Sequence, residues 1–98
     1  MRKSDAVSAI LAERRASHGE FKSHAATAQQ LKRIMHGRQS WAQLDDDMAE
    51  ALEMIQHKAA RVLNGDPRCV DHWRDIAGYA ELVARRLESE AVGAQTKS

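Results

Sequence analysis

The sequence contains very little cysteine, proline or aromatic residue. Its 98 residues include one cysteine (Cys69), one proline (Pro67) and four aromatic side chains, namely two tryptophans, one tyrosine and one phenylalanine. A single cysteine excludes a disulfide within the chain and argues against a zinc site built on thiolates. Much of the 43% hydrophobic fraction is alanine, so a lone core would be thin. A helical chain of this kind often gains stability by self-association, and we expect an oligomer, most simply a dimer.

Long apolar runs and a strong charge of one sign are missing as well. No stretch approaches the roughly 20 apolar residues that cross a bilayer, and no apolar signal core follows the basic start, so we expect a cytoplasmic protein without membrane contact. The net charge is +1. Proteins that bind duplex nucleic acid are usually clearly basic, which argues against that class but allows contact with a few phosphates.

Helical periodicity is what the sequence has instead. Apolar residues recur at steps of three and four, and the pattern predicts helices over about residues 5–16, 21–36, 45–64 and 71–88. The expected fold is all-α, a bundle of about four helices. We expect one helical domain over residues 1–89 and a flexible C-terminal tail over 90–98.

The third and fourth predicted helices form a hairpin around the loop 64–67, where Gly65 and Pro67 end the third helix. The apolar stripe of the third helix consists of Met48, Leu52, Ile55, Ala59 and Val62. That of the fourth consists of Trp73, Ile76, Ala77, Ala80, Val83, Ala84 and Leu87. These stripes are expected to form the core.

Two pairs of acids lie away from the stripes. At 100° per residue Glu50 and Glu53 share one face of the third helix, and Asp71 and Asp75 share one face of the fourth. If these faces converge, four carboxylates meet, and a cation such as Mg²⁺ would relieve their repulsion. Lys58 and Arg61 lie further along the third helix and would contact the phosphate oxygens that the metal does not reach. The alternative is that all of these are ordinary charged residues on solvated helix faces.

Two other side chains allow more than one interpretation. Trp41 either covers the open end of the bundle or offers a stacking surface for a base. His57 lies on the acidic face and is a metal ligand, a proton shuttle or an ordinary surface residue. The remaining histidines lack metal-ligand spacing, and no nucleophile has an adjacent base, so covalent catalysis is not expected.

Three short runs carry a resemblance to a known family: Glu50-x-x-Glu53, Lys58-x-x-Arg61 and Asp71-x-Trp73-x-Asp75-Ile-Ala-Gly-Tyr-Ala. With them the sequence resembles small phage and prophage proteins related to the all-α nucleoside triphosphate pyrophosphohydrolases, the MazG-like superfamily. Gly19-Glu20-Phe21 adds to the resemblance, which covers about residues 10–88. It implies a dimeric helical bundle in the cytoplasm of a bacterial host cell. Active members of the superfamily hydrolyse a nucleotide between its α- and β-phosphates with Mg²⁺ or Mn²⁺.

Carried over by position, the resemblance makes Glu50 and Glu53 catalytic and metal-binding and Asp75 a further metal ligand. Asp71, four residues before Asp75, is the remaining candidate ligand. Lys58 and Arg61 become phosphate contacts, and Phe21 or Trp41 holds the base. The chain departs from the family's second acidic pair, because His72 stands three residues before Asp75.

Two functions follow. The first is a metal-dependent nucleotide pyrophosphohydrolase. The second is a non-catalytic helical phage or prophage protein that binds a host or defence component. The intact first acidic pair favours the enzyme, and the altered second pair favours the interaction protein.

Overall fold

The computed structural model describes residues 3–96, and side chains are described for residues 5–14 and 18–93. Over this range the chain forms four α-helices and no strand, a small all-α bundle, as the periodicity predicts. The helices are α1 (Lys3–His18), α2 (Phe21–His36), α3 (Asp46–Asn64) and α4 (Val70–Thr96), with a 3₁₀ turn at Gln39–Gln43 between α2 and α3. The described helices include none long and apolar enough to cross a membrane.

α3 is the central helix. It packs against α4 along one side and against α2 along the other, and α1 lies near one end of this layer. The bundle is elongated, with principal extents of 65 × 29 × 24 Å. α4 continues to Thr96, beyond the predicted end at Glu88, because residues 88–96 contain no proline and Arg86 pairs with Glu90 one turn on.

The turn between α1 and α2 is built on Gly19. Its φ is +79°, a left-handed conformation that side-chain-bearing residues rarely adopt. A Cβ at this position would lie 1.8 Å from the carbonyl oxygen of Asn64. The Asn64 amide in turn donates to Thr27 Oγ1 at 2.9 Å and to the Ala60 carbonyl at 2.8 Å. Gly19 therefore allows the α1–α2 turn to lie directly against the end of α3.

The start of α3 is tied to α4 by ion pairs. The Arg86 guanidinium contacts Asp45 at 2.9 Å and Asp47 at 2.6 Å. Asp45 is the N-cap residue of α3, but its side chain does not cap the helix. The acidic run at 45–47 thus lies at the start of α3 and also joins it to α4.

The interior differs from the one that the apolar stripes predict. Within residues 5–14 and 18–93, the buried apolar residues are the alanines Ala28, Ala51 and Ala60, and the buried polar residues are His24, Gln56 and His72. From the predicted stripes, Leu52, Trp73 and Leu87 remain at least 42% exposed. Close approach of the helices over small residues forms the core, and the larger side chains lie outside it.

Trp73, one of these large side chains, contacts the α3–α4 loop. Its indole Nε1 donates a hydrogen bond to the Pro67 carbonyl at 2.8 Å, while the ring stays 54% exposed. In the same loop Arg68 N–H donates to Asp66 Oδ1 at 2.9 Å. Trp73 therefore fastens the α3–α4 loop to the first turn of α4.

Candidate functional site

A cavity of about 330 Å³ lies between α1, the start of α2 and the last turns of α3. It is lined by Leu11, Arg14, His18, Gly19, Phe21, His24 and Arg61. The lining therefore holds two guanidinium groups and two imidazoles and no carboxylate. A lining of this kind suits an anionic ligand, because guanidinium groups bind phosphate and carboxylate oxygens in bidentate geometry.

His24 forms the inner wall of this cavity. The side chain is 6% exposed, and its Nδ1 has no hydrogen-bond partner in the described part of the chain. Its Nε2 lies 3.3 Å from His57 Nδ1, with the two rings edge to face at 4.6 Å between centroids. One imidazole must donate to the other, and the tautomer decides which nitrogen does so.

Burial and nearby cations keep this histidine pair neutral. Burial, followed by the positive charge of Arg61, lowers the pKa of His24 below its usual value. The pKa of His57 falls to about 4, because of burial first and then the charges of Arg61, His24, Lys58 and Lys32. At pH 7 both rings are neutral, so each has one nitrogen that donates and one that accepts.

A second pair of imidazoles lies close to the same cavity. His18, which lines it, packs edge to face against His72 at 4.7 Å between ring centroids, and His72 is 1% exposed. Four histidines that are far apart in the sequence thus form two pairs around the junction of α1 and α2 with the α3–α4 hairpin. The sequence analysis missed this arrangement, because it looked for metal-ligand spacing along the chain and not for pairs of histidines from different helices.

The predicted acids are placed separately. Glu53 accepts a hydrogen bond from His36 Nε2 at 2.7 Å, on the α2 side of α3. Asp75 pairs with Lys58 at 2.9 Å, and the Lys58 ammonium lowers the pKa of the Asp75 carboxyl. Glu50 and Asp71 are exposed. In this arrangement the four carboxylates do not form a closed metal site.

Within residues 5–14 and 18–93, no three His, Cys, Asp or Glu side chains are placed to hold one ion. The four-carboxylate Mg²⁺ or Mn²⁺ site therefore stays a prediction from the sequence resemblance.

The predicted phosphate and base contacts also separate. Arg61 lines the cavity, whereas Lys58 is mostly buried against Asp75. Phe21 lines the cavity and is 82% exposed. Trp41 lies elsewhere, packed against the His36 ring at 4.7 Å and lining an apolar groove. Of the predicted residues, the structure brings together Arg61 and Phe21, and it adds Arg14, His18 and His24.

The position of His24 in the helical pattern of α2 could have indicated its role. His24 stands four residues before Ala28 and seven before Leu31, so it lies on the inward side of α2 that alanine and leucine mark. A histidine on the inner face of a helix with alanine neighbours must be hydrogen-bonded or lie against a cavity.

Comparison with known proteins gives a family without an assigned activity. No curated protein and no solved structure matches the chain. One family model, described as a domain of unknown function (DUF6378), matches residues 4–87, which include every helix that lines the cavity. The chain therefore belongs to the DUF6378 family.

Proposed function

We propose that the chain binds the phosphate groups of a nucleotide in the cavity lined by Arg14, His18, His24 and Arg61. The observation that carries this proposal is the composition of the lining, with two guanidinium groups, two imidazoles and no carboxylate. Phe21 at the same cavity supplies an aromatic surface on which a base or sugar can pack. A volume of about 330 Å³ accommodates part of a nucleotide, with the remainder extending into solvent.

The neutral His24 suits this role. In the tautomer in which His57 Nδ1 donates to His24 Nε2, the His24 Nδ1 carries the proton and can donate to a phosphate oxygen without adding charge to the site. The guanidinium groups neutralise the phosphate, and the imidazole fixes its orientation.

A second part of the proposal concerns the reaction that follows nucleotide binding. From the resemblance to the MazG-like proteins of phages and prophages, we propose hydrolysis of a nucleoside triphosphate between the α- and β-phosphates. Glu50, Glu53, Asp71 and Asp75 are the proposed ligands of Mg²⁺ or Mn²⁺, and this part rests on the sequence motif, because the structure pairs Glu53 with His36 and Asp75 with Lys58. A second copy of the chain is the proposed oligomeric partner.

Binding and turnover can be measured separately. We expect calorimetric titration with each deoxynucleoside triphosphate to show binding that Arg61→Met weakens about 10–100-fold, the loss expected for hydrogen bonds to a charged group. Arg68→Met is the matched control, because Arg68 lies in the exposed α3–α4 loop. Equal losses in both variants, or no binding to the unmodified chain, would contradict a phosphate site in the cavity.

Pyrophosphate release tests the reaction. With Mg²⁺ or Mn²⁺ present, we expect release that Glu53→Gln and Asp75→Asn abolish. Binding without release from any nucleotide, and no thermal shift on adding either metal, would leave the phosphate site and reject the hydrolase.

A second candidate function is a non-catalytic interaction protein that binds a host or defence component. The observation that favours it is the outer side of α1, where Val7 and Ile10 are 55% and 50% exposed at helical spacing. Such a stripe on a peripheral helix suits contact with another helix. This candidate predicts neither nucleotide binding nor pyrophosphate release.

A further inference from the structure

The His24–His57 pair can take up one more proton without losing its hydrogen bond. Two neutral imidazoles hold two protons on four nitrogens, and one of these protons lies in the 3.3 Å contact between His24 Nε2 and His57 Nδ1. When His57 donates in this contact, His24 Nδ1 carries the second proton and His57 Nε2 carries none. A third proton on that nitrogen leaves the contact intact, whereas a fourth would set two donors against each other.

The two rings of the pair differ in their access to solvent. His24 is 6% exposed, whereas His57 is only half-buried. A proton from solvent can therefore reach the pair through His57. A shift of the proton between the two rings then moves the positive charge to His24, which lines the cavity.

The groups that face the pair are mostly cations, and they come from every helix packed around it. They are Arg14 and His18 of α1, Lys32 of α2, Lys58 and Arg61 of α3, and His72 of α4 behind His18. Two carboxylates lie in the same region of the described chain. Asp75 is paired with Lys58 at 2.9 Å, and Glu20, one turn before His24, is exposed and outside the cavity lining.

Without a ligand this environment opposes the extra proton. Burial first, and then the charge of Arg61, lower the pKa of both rings, that of His57 to about 4. An anion in the cavity would lie against His24 and Arg61 and reverse this effect, because a nearby opposite charge favours the protonated form. By linkage, the proton strengthens the binding of the anion by the same factor.

We propose that an anion enters the cavity together with one proton, which the His24–His57 pair takes from solvent. This inference rests on the proposed phosphate site and deepens it by assigning its response to acidity. The pKa of the pair is higher with the anion than without it, so protons are taken up at pH values between the two. Anion affinity therefore rises as the pH falls from 7.5 to 5.0.

Sulfate is the probe for this coupling, because it resembles phosphate but stays doubly charged over this pH range and takes up no proton itself. Nuclear magnetic resonance of the histidine ring nitrogens gives the pKa of each ring in about 0.1 M sodium sulfate and in sodium chloride of equal ionic strength. We expect the pKa of the pair to be about one unit higher in sulfate. His36, which lies outside the pair and contacts Glu53, should titrate alike in both salts.

Calorimetry counts the proton directly. Titration with sulfate at pH 5.0 in two buffers of different ionisation enthalpy should show uptake of about half a proton per bound anion, with binding about threefold tighter than at pH 7.5. The double variant His24→Gln/His57→Gln should bind sulfate without uptake, and His36→Gln is the matched control that retains it. The resonance experiment uses the unmodified chain, so it does not depend on the folding of the double variant.

Three results would overturn the inference: equal pKa values of both rings in the two salts, a shift confined to His18 and His72, or sulfate binding without proton uptake. The nucleotide titration at pH 7.5, where the coupling contributes little, tests the phosphate site by itself. Nucleotide binding without a pKa shift in sulfate rejects the coupling alone, whereas no anion binding at either pH rejects both.

Discussion

Gly19 and Gly78 show how differently one residue type can matter in the same chain. Gly19 has a positive φ and lies against the Asn64 carbonyl, while a Cβ at Gly78 would meet nothing within 4 Å. The turn glycine is the one on which the packing depends.

Gly19→Ala should lower the free energy of unfolding by about 2–3 kcal/mol, because the methyl group collides with backbone and φ is unfavourable. Gly78→Ala, the matched control, should raise it by about 0.5–1 kcal/mol, since alanine favours the helix. Urea denaturation measures both. A neutral Gly19→Ala would contradict the contact with Asn64.

His57 makes stability depend on pH. Its pKa is about 4 in the folded chain and about 6.5 when unfolded, so between these values the unfolded chain binds more protons. The contribution of His57 to the free energy of unfolding should be complete above pH 6.5 and fall as the pH drops towards 4. After allowance for solvent screening, we expect His57 to account for about 1–2 kcal/mol of that fall. The lowered pKa of His24 acts in the same direction.

His57→Gln should therefore show a shallower loss of stability between pH 6.5 and 4.5 than the unmodified chain, in denaturation curves taken across that range. His36→Gln provides the control, because His36 is exposed and lies outside the pair. Identical slopes in all three proteins would mean that His57 is not held neutral by the fold.

At the scale of the elements, α3 and α4 are joined by ion pairs near both ends of the hairpin. Lys58 and Asp75 pair near the loop, and Arg86 contacts Asp45 and Asp47 near the start of α3. Asp47 first, and then Glu90 and Asp45, raise the pKa of Arg86, and Arg86 lowers the pKa of the Asp47 carboxyl. The hairpin is therefore fixed in register by charge as well as by alanine packing.

Arg86→Ala should lower the melting temperature and reduce its sensitivity to salt, because several ion pairs disappear together and screening then has less to weaken. Arg85→Ala should change little, since Arg85 makes one exposed pair with Glu81 on its own helix. Thermal unfolding at low salt and at 1 M salt distinguishes the two. Equal effects would mean that the contact between the helices contributes nothing measurable.

The sequence predicted these elements better than their orientation. Helical periodicity placed α2 at its observed bounds and the end of α3 at Asn64. It could not tell which side of α3 faces its neighbours, because an apolar stripe is equally suited to an interior and to contact with another molecule. The buried His24, Gln56 and His72 carry no periodic signal, and the cavity residues come together only through the Gly19 turn.

On the scale of the whole molecule, the fully buried part of the core is small among the described residues. Its buried apolar residues are alanines, whose side chains contribute little burial, while twelve larger apolar residues of the described chain are exposed. A chain of this size with so little apolar burial has a small margin of stability. Association would supply the missing burial.

The melting temperature should therefore rise with protein concentration. For a dimer that unfolds to two chains, a tenfold dilution should lower it by about 2–4 °C. Differential scanning calorimetry from micromolar to hundreds of micromolar measures this. Leu52→Asp should melt lower and independently of concentration, whereas a concentration-independent unmodified chain would indicate that the monomer carries the whole stability.

The two tryptophans give the molecule an optical signature of its own. Trp73 is largely in water with its indole bound to the Pro67 carbonyl, while Trp41 is half-buried with its ring against His36. Since the two indoles lie in different surroundings, the Trp41 emission reports on the groove and the Trp73 emission on the α3–α4 loop. The emission spectrum thus separates events at the groove from events at the hairpin turn, with no added label.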